Sequence, residues 1–134
     1  MIQAPFSRVL HVDDHKDIRG IVQLALGKIG GFKVHSCGSG EEALAAAAGF
    51  SPELLLLDVN MPNMDGVELL ERLREAGIRA PAVFFTAKVY PNDHKRYDAI
   101  GAIGTISKPF DPLRLSNQLI DFWNTHFPAP ENPS

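Results

Sequence analysis

The sequence predicts an α/β protein, a doubly wound five-stranded parallel sheet with helices on both faces. Two observations carry that expectation. Short apolar runs alternate five times with longer amphipathic or alanine-rich segments, which is the pattern of consecutive βαβ units. The run Leu54–Leu57, entered past Pro52 and left through Asn60, Pro62 and Asn63, is apolar throughout, as a strand covered on both faces must be. Right-handed crossovers then place helices on each side of the sheet.

In chain order, Arg8 to Val12 is the first strand, with His11 read as a packed or partly exposed strand histidine. Asp14 and Asp17 suit the N-terminus of a first helix, whose stripe is Ile18, Ile21, Val22, Ala25 and Ile29; Gly30-Gly31 stops it. Phe32 to Cys37 alternates as the second strand. Ser39 and Glu42 form a capping box for an alanine-rich helix ending at Gly49. The third strand ends on Asp58, followed by a loop from Asn60 to Asp65. Gly66 begins a third helix carrying Val67, Leu69, Leu70 and Leu73 and stopped by Gly77. Ala82 to Phe85 is the fourth strand, leading into Thr86-Ala87-Lys88. Pro91 opens a fourth helix, Asn92 to Ile100, with a weak apolar stripe that makes it the least stable. Gly104 to Ser107 is the fifth strand, ending at Lys108-Pro109. Asp111 is expected to cap a fifth helix bearing Leu113, Leu115, Leu119, Ile120, Phe122, Trp123 and Phe127, an apolar surplus that either leaves a partly exposed patch or is absorbed by a large core.

Composition narrows the function classes. The chain has 134 residues, enough for one domain with a full core. A net charge of −3 gives no basic surface for gripping nucleic acid. Cys37 is the single cysteine, so no internal disulfide can form and a cytoplasmic location is expected. No apolar run approaches the roughly 18 residues of a membrane span. Residues 1–127 read as the domain and residues 128–134, P-A-P-E-N-P-S, as a disordered proline-rich tail.

The polar residues at strand ends carry the chemistry. Asp13, Asp14, Asp58, Thr86 and Lys108 all fall at the carboxyl ends of strands, the edge where open α/β sheets bind ligands. Taken singly each has a structural explanation: a helix N-terminus for Asp14, a turn for Asp58, a strand end for Thr86, a solvated lysine before proline for Lys108. Their joint placement does not. Three converging carboxylates repel one another and lose water, which a hard divalent cation such as Mg²⁺ resolves. A metal, an ammonium and a hydroxyl around one carboxylate are what phosphoryl transfer onto that carboxylate needs.

The motifs Val12-Asp13-Asp14, Leu57-Asp58 with Met61-Pro62 and Asp65-Gly66, Thr86-Ala87, and Lys108-Pro109-Phe110 resemble those of a response-regulator receiver domain, the phospho-acceptor module of two-component signalling. The likeness runs from about Arg8 to Phe127. It implies a flavodoxin-like (βα)5 fold with strand order 2-1-3-4-5. It implies phosphorylation at Asp58, Mg²⁺ held by Asp13, Asp14, Asp58 and the backbone carbonyl of Asn60, and phosphoryl contacts from Thr86 and Lys108. The phosphodonor would be a phosphohistidine on a sensor histidine kinase or phosphotransfer protein, and a downstream protein would read the result. Asn60 and Lys88, two positions beyond Asp58 and Thr86, would tune dephosphorylation. Thr86 and Thr105 would form the switch, Thr105 standing where the family usually has an aromatic ring; a threonine is too small and stiff to supply one.

The expected output surface is the fourth helix, fifth strand and fifth helix, for a partner or for homodimerisation, with no role in nucleic-acid or membrane binding. The domain is expected not to be an enzyme beyond weak autodephosphorylation. Two other classes fit less well. An aspartyl-phosphate phosphatase needs an acid two residues after its nucleophile, and Asn60 stands there. A phosphorylation-independent receiver-like binding module has no need of all five site residues.

Overall fold

A computed structural model describes residues 4–87 and 93–128. Five parallel strands lie in the order β2-β1-β3-β4-β5: β1 Arg8–Val12, β2 Lys33–Cys37, β3 Leu54–Asp58, β4 Ala82–Thr86 and β5 Ala102–Ser107. The helices between and after them are α1 Lys16–Val22, α2 Gly40–Phe50, α3 Gly66–Glu75, α4 Asp93–Ala99 and α5 Leu115–His126. The expected fold and strand order are therefore present.

Alternation along the strands builds two separate cores. Leu10, Val12, Leu55, Leu57, Ala82 and Phe84 point to the face covered by α2, α3 and Tyr97 of α4. Val9, Leu54, Leu56, Val83, Phe85 and Ile106 point to the other, covered by α1 and α5. Every residue of β3 and β4 is buried, as central strands of a doubly wound sheet are. On the second face Phe6 stacks on Phe32 at 4.9 Å and meets Trp123 at the same distance, tying the segment before β1 to α5.

Several boundaries differ from the sequence expectation. After Val22 the first helix continues as a π-helix, Gln23–Ile29. Its wider i→i+5 turn rotates the buried stripe: Val22, Ala25 and Leu26 are buried, whereas Ile21 and Ile29 face solvent. Helix α2 passes through Gly49 and ends at Phe50, with Ser51 in the left-handed conformation. Its cap is also shifted: Ser39 Oγ accepts from the Glu42 N–H as expected, but the Glu42 carboxylate accepts from Gly38 rather than from Ser39. Strand β5 starts at Ala102, two residues early, with a register irregularity where it meets Ala82 and Val83.

Asp111 does not cap α5. Its carboxylate accepts from the Leu113 N–H in a separate turn, and α5 begins at Leu115. Leu113 is consequently outside the helix and 74% exposed, while Leu115 and Leu119 are fully buried. Ile120, Phe122 and Trp123 pack partly against the second core. The apolar surplus is thus mostly absorbed, with Leu113 and Phe127 left exposed at the two ends. Pro91, Asn92 and residues 129–134 lie outside the described residues.

Candidate functional site

The sheet register brings the acids together. Val12 pairs with Leu57, and Asp58 pairs with Phe85, so Asp13 and Asp58 emerge side by side at the carboxyl edge. The Asp13 N–H donates to Cys37 O of β2, and Lys108 N–H donates to Thr86 O, extending the ladder one step past the strands on both sides. Arg19 of α1 donates to the Asp13 carbonyl at 2.8 Å and holds the turn after β1. The loop after β3 folds back tightly: Gly66 N–H donates to Val59 O, and a Cβ on Gly66 would sit 2.3 Å from the Asp58 carbonyl oxygen. Glycine is thus needed there for close backbone approach, a role its placement as a helix start did not suggest. Asp65 caps α3 by accepting from the Glu68 N–H.

Asp13 and Asp58 are 0% and 1% exposed. Lys108 Nζ reaches both, at 3.0 Å from Asp13 Oδ2 and 3.3 Å from Asp58 Oδ1. Asp58 Oδ1 also accepts from the Asn60 N–H at 3.2 Å. Asp58 Oδ2 is buried with no hydrogen-bond partner among the described residues. Thr86 is buried at the end of β4. It lines a cleft with Val59, Asn60, Ala87, Asp93, Arg96 and Tyr97. The five residues singled out at the sheet edge are therefore neighbours. Lys88 lies outside the described residues. Thr105 is not at this edge; it lines a separate cavity of about 340 Å³ with Tyr97, Gly104 and Phe122.

The two buried acids are driven in opposite directions. Burial pushes Asp58 up and the Asp13 charge adds to it, and Lys108 and the Asn60 N–H only partly compensate; its carboxyl lies above the usual range. Burial pushes Asp13 up too, but the His15 N–H, the Lys108 ammonium and the His15 ring outweigh it, and its net direction is down. Burial lowers Lys108, yet its bond to Asp13 and its attraction to both acids prevail and raise it. Beneath the site, His11 is fully buried on β1 and lowered by desolvation to about 4, so it is a neutral core side chain. Its Nδ1 lies 3.2 Å from Ser36 Oγ, and of the two alternatives the packed one holds.

The sequence reading missed His15. Its Nδ1 lies 3.1 Å from Asp13 Oδ1 and 3.2 Å from Asp14 Oδ1, although only the first contact is aligned as a hydrogen bond. The available signal was its position, directly after two acids and before a helix, where a capping residue is usual.

A family model described as "Response regulator receiver domain" matches residues 9–120. The chain belongs to this family. The receiver is 36% identical over 112 residues to the transcriptional regulatory protein TrcR of Mycobacterium tuberculosis, covering 84% of this chain and 43% of that protein. It is 35% identical over 109 residues to the alkaline phosphatase synthesis transcriptional regulatory protein PhoP of Bacillus subtilis, covering 81% of this chain and 45% of PhoP. The receiver thus spans less than half the length of these curated relatives. Among solved structures, the chemotaxis protein CheY4 of Vibrio cholerae superposes with a TM-score of 0.81 at 33% identity, covering 87% of the receiver and 98% of CheY4. No helix among the described residues is long and apolar enough to cross a membrane.

Receiver domains generally bind Mg²⁺ at an acidic pocket, and this one has an aspartate cluster of that kind. Asp13, Asp14, His15 and Asp58 offer ligand atoms that all lie within 4.8 Å of one another. The carboxylate oxygens suit a hard divalent cation. The orphaned Asp58 Oδ2 is the strongest sign of fit, because a buried carboxylate oxygen without a partner carries an unrelieved desolvation cost.

Proposed function

We propose that Asp58 is a phosphoryl acceptor, fed by a phosphohistidine on a sensor histidine kinase or phosphotransfer protein. The observation that carries this is the Asp58 carboxylate itself: buried, raised in pKa, and bound on Oδ1 by Lys108 and Asn60 while Oδ2 has no hydrogen-bond partner. Ionised Asp58 attacks phosphorus; a P–O bond forms as the P–N bond breaks, and the electron pair leaves with the donor imidazole. Asp13, Asp14, Asp58 and the Asn60 carbonyl would hold Mg²⁺. Bound there, the ion neutralises charge on the transferred group. Lys108, already 3.3 Å from Asp58, supplies a second positive charge to the phosphoryl oxygens, and the buried Thr86 a hydroxyl. The protein turns over no substrate of its own beyond slow loss of the phosphoryl group, whose rate Asn60 and Lys88 adjust.

Readout runs through α4, β5 and α5, toward a downstream partner or a second copy, in the cytoplasm. Thr105 provides no ring on β5, but Tyr97 of α4 is buried against Phe84 at 4.6 Å and borders both the Thr86 cleft and the Thr105 cavity. It is the aromatic group placed to sense a movement of Thr86. Acetyl phosphate with Mg²⁺ should add one phosphoryl group by intact mass, and Asp58→Asn should abolish it. Equal labelling of the variant would reject Asp58 as the acceptor.

A further inference from the structure

His15 occupies the residue before α1, where a side chain normally accepts from the helix's first N–H groups. It makes no such bond. Its ring turns instead toward the acids, with Nδ1 against Asp13 Oδ1 and Asp14 Oδ1. Lys108 takes the other oxygen of Asp13 and Oδ1 of Asp58. The ammonium and the imidazole therefore use opposite oxygens of Asp13. Asp58 Oδ2, buried and unpartnered among the described residues, remains available in the cluster.

One ligand atom from each of Asp13, Asp14, His15 and Asp58 fits within 4.8 Å. Two ligands across a metal stand at most about 4.2 Å apart, twice a bond of about 2.1 Å. The cluster needs to contract by about 0.6 Å at its widest to close on one ion. The ring is 63% exposed, so it can make that adjustment without disturbing the core. A neutral imidazole with its proton on Nε2 presents the Nδ1 lone pair to the metal. Mg²⁺ gains little from a nitrogen ligand, whereas Co²⁺, Ni²⁺ and Zn²⁺ gain much.

We propose that His15 is a metal ligand, and that the convergence of its Nδ1 with the Asp13, Asp14 and Asp58 carboxylates lets this site take imidazole-accepting transition ions such as Ni²⁺ or Co²⁺ as well as Mg²⁺. This rests on the reading of the acidic cluster as a divalent-cation site. The imidazole nitrogen distinguishes the site from an all-oxygen one and makes its occupant depend on which ions are available.

Calorimetric titration of the full chain with Mg²⁺ and with Ni²⁺ tests it, alongside the absorption spectrum of bound Co²⁺. His15→Ala should weaken Ni²⁺ at least about tenfold, the low end of what losing even an outer partner costs a metal site. It should leave Mg²⁺ affinity within about twofold and alter the Co²⁺ bands. His15→Asn, which keeps an amide donor near the Nδ1 position but is a poor ligand for these ions, should behave like His15→Ala. Unchanged Ni²⁺ affinity in His15→Ala, equal weakening of Mg²⁺ and Ni²⁺, or full Ni²⁺ affinity in His15→Asn would each overturn the proposal. If Mg²⁺ binds none of the proteins, the acidic-site reading fails by itself, and His15-dependent Ni²⁺ binding would still support the ligand assignment.

Discussion

Replacing Lys108 by methionine keeps most of the side chain's length and removes the charge that lies 3.0 Å from Asp13 and 3.3 Å from Asp58. At an effective dielectric of about 20, each contact is worth about 5 kcal/mol of Coulomb attraction. Most of that is offset by the cost of drying the ammonium, which methionine does not bear. What remains is the penalty of two buried carboxylates left with only the His15 contacts on Asp13 and the Asn60 N–H on Asp58. Breaking such a pair costs about 3–5 kcal/mol, and because Lys108 keeps 20% exposure the low end, about 3 kcal/mol, is expected at pH 7. Urea unfolding followed by circular dichroism in EDTA reads this directly. With a slope of about 2 kcal/mol per molar urea, the midpoint falls by about 1.5 M.

The pH dependence supplies the sharper check. In the wild type, Asp13 is lowered, so it stabilises above the ordinary carboxylate range and loses that contribution as pH falls through its folded value. Asp58 is raised, so its ionised form costs stability at neutral pH and the cost is relieved on acidification. Without Lys108 both acids are pushed upward, the folded state binds more protons than the unfolded one, and stability falls as pH rises. The deficit of Lys108→Met should therefore shrink steadily from pH 7 to about 4.5, and Mg²⁺ should recover part of it. A loss below about 0.5 kcal/mol at pH 7, or one equally large at pH 4.5, would refute the electrostatic account of the pocket.

Three further substitutions have expected outcomes. Asp58→Asn removes the raised acid, so the metal-free protein should gain about 1 kcal/mol at pH 7, near 4 °C in melting temperature, with the gain vanishing on acidification and Mg²⁺ stabilising the variant less than the wild type. Gly66→Ala places a Cβ 2.3 Å from the Asp58 carbonyl and should cost about 3 kcal/mol while slowing phosphorylation; Gly49→Ala, in open space inside α2, should instead gain about 0.5 kcal/mol by thermal melting.

Period and punctuation were legible from the chain alone. The four leucines before Asp58, the alternation of five strands with five helices, and the acids, threonine and lysine at strand ends all belong to local sequence, and the sheet is built on them. Hydrophobic period sets element type because a buried face must repeat at the spacing of its backbone. Tertiary structure decided what depends on residues distant in the chain. Whether a helix continues in α or π form is settled by what it packs on, which is why Ile21 and Ile29 lie outside and Leu26 inside. Asp111 capped a turn rather than α5 because the chain takes a separate turn before the helix begins. The local signal at His15 was only its place after two acids and before a helix; its ring gained meaning when β1 and β3 lay side by side and put three carboxylates in reach of it. Opposite pKa shifts on Asp13 and Asp58, two chemically identical side chains, came from the same source: Lys108 reaches both, but Asp13 also gains the His15 N–H and ring, whereas burial and the Asp13 charge prevail at Asp58.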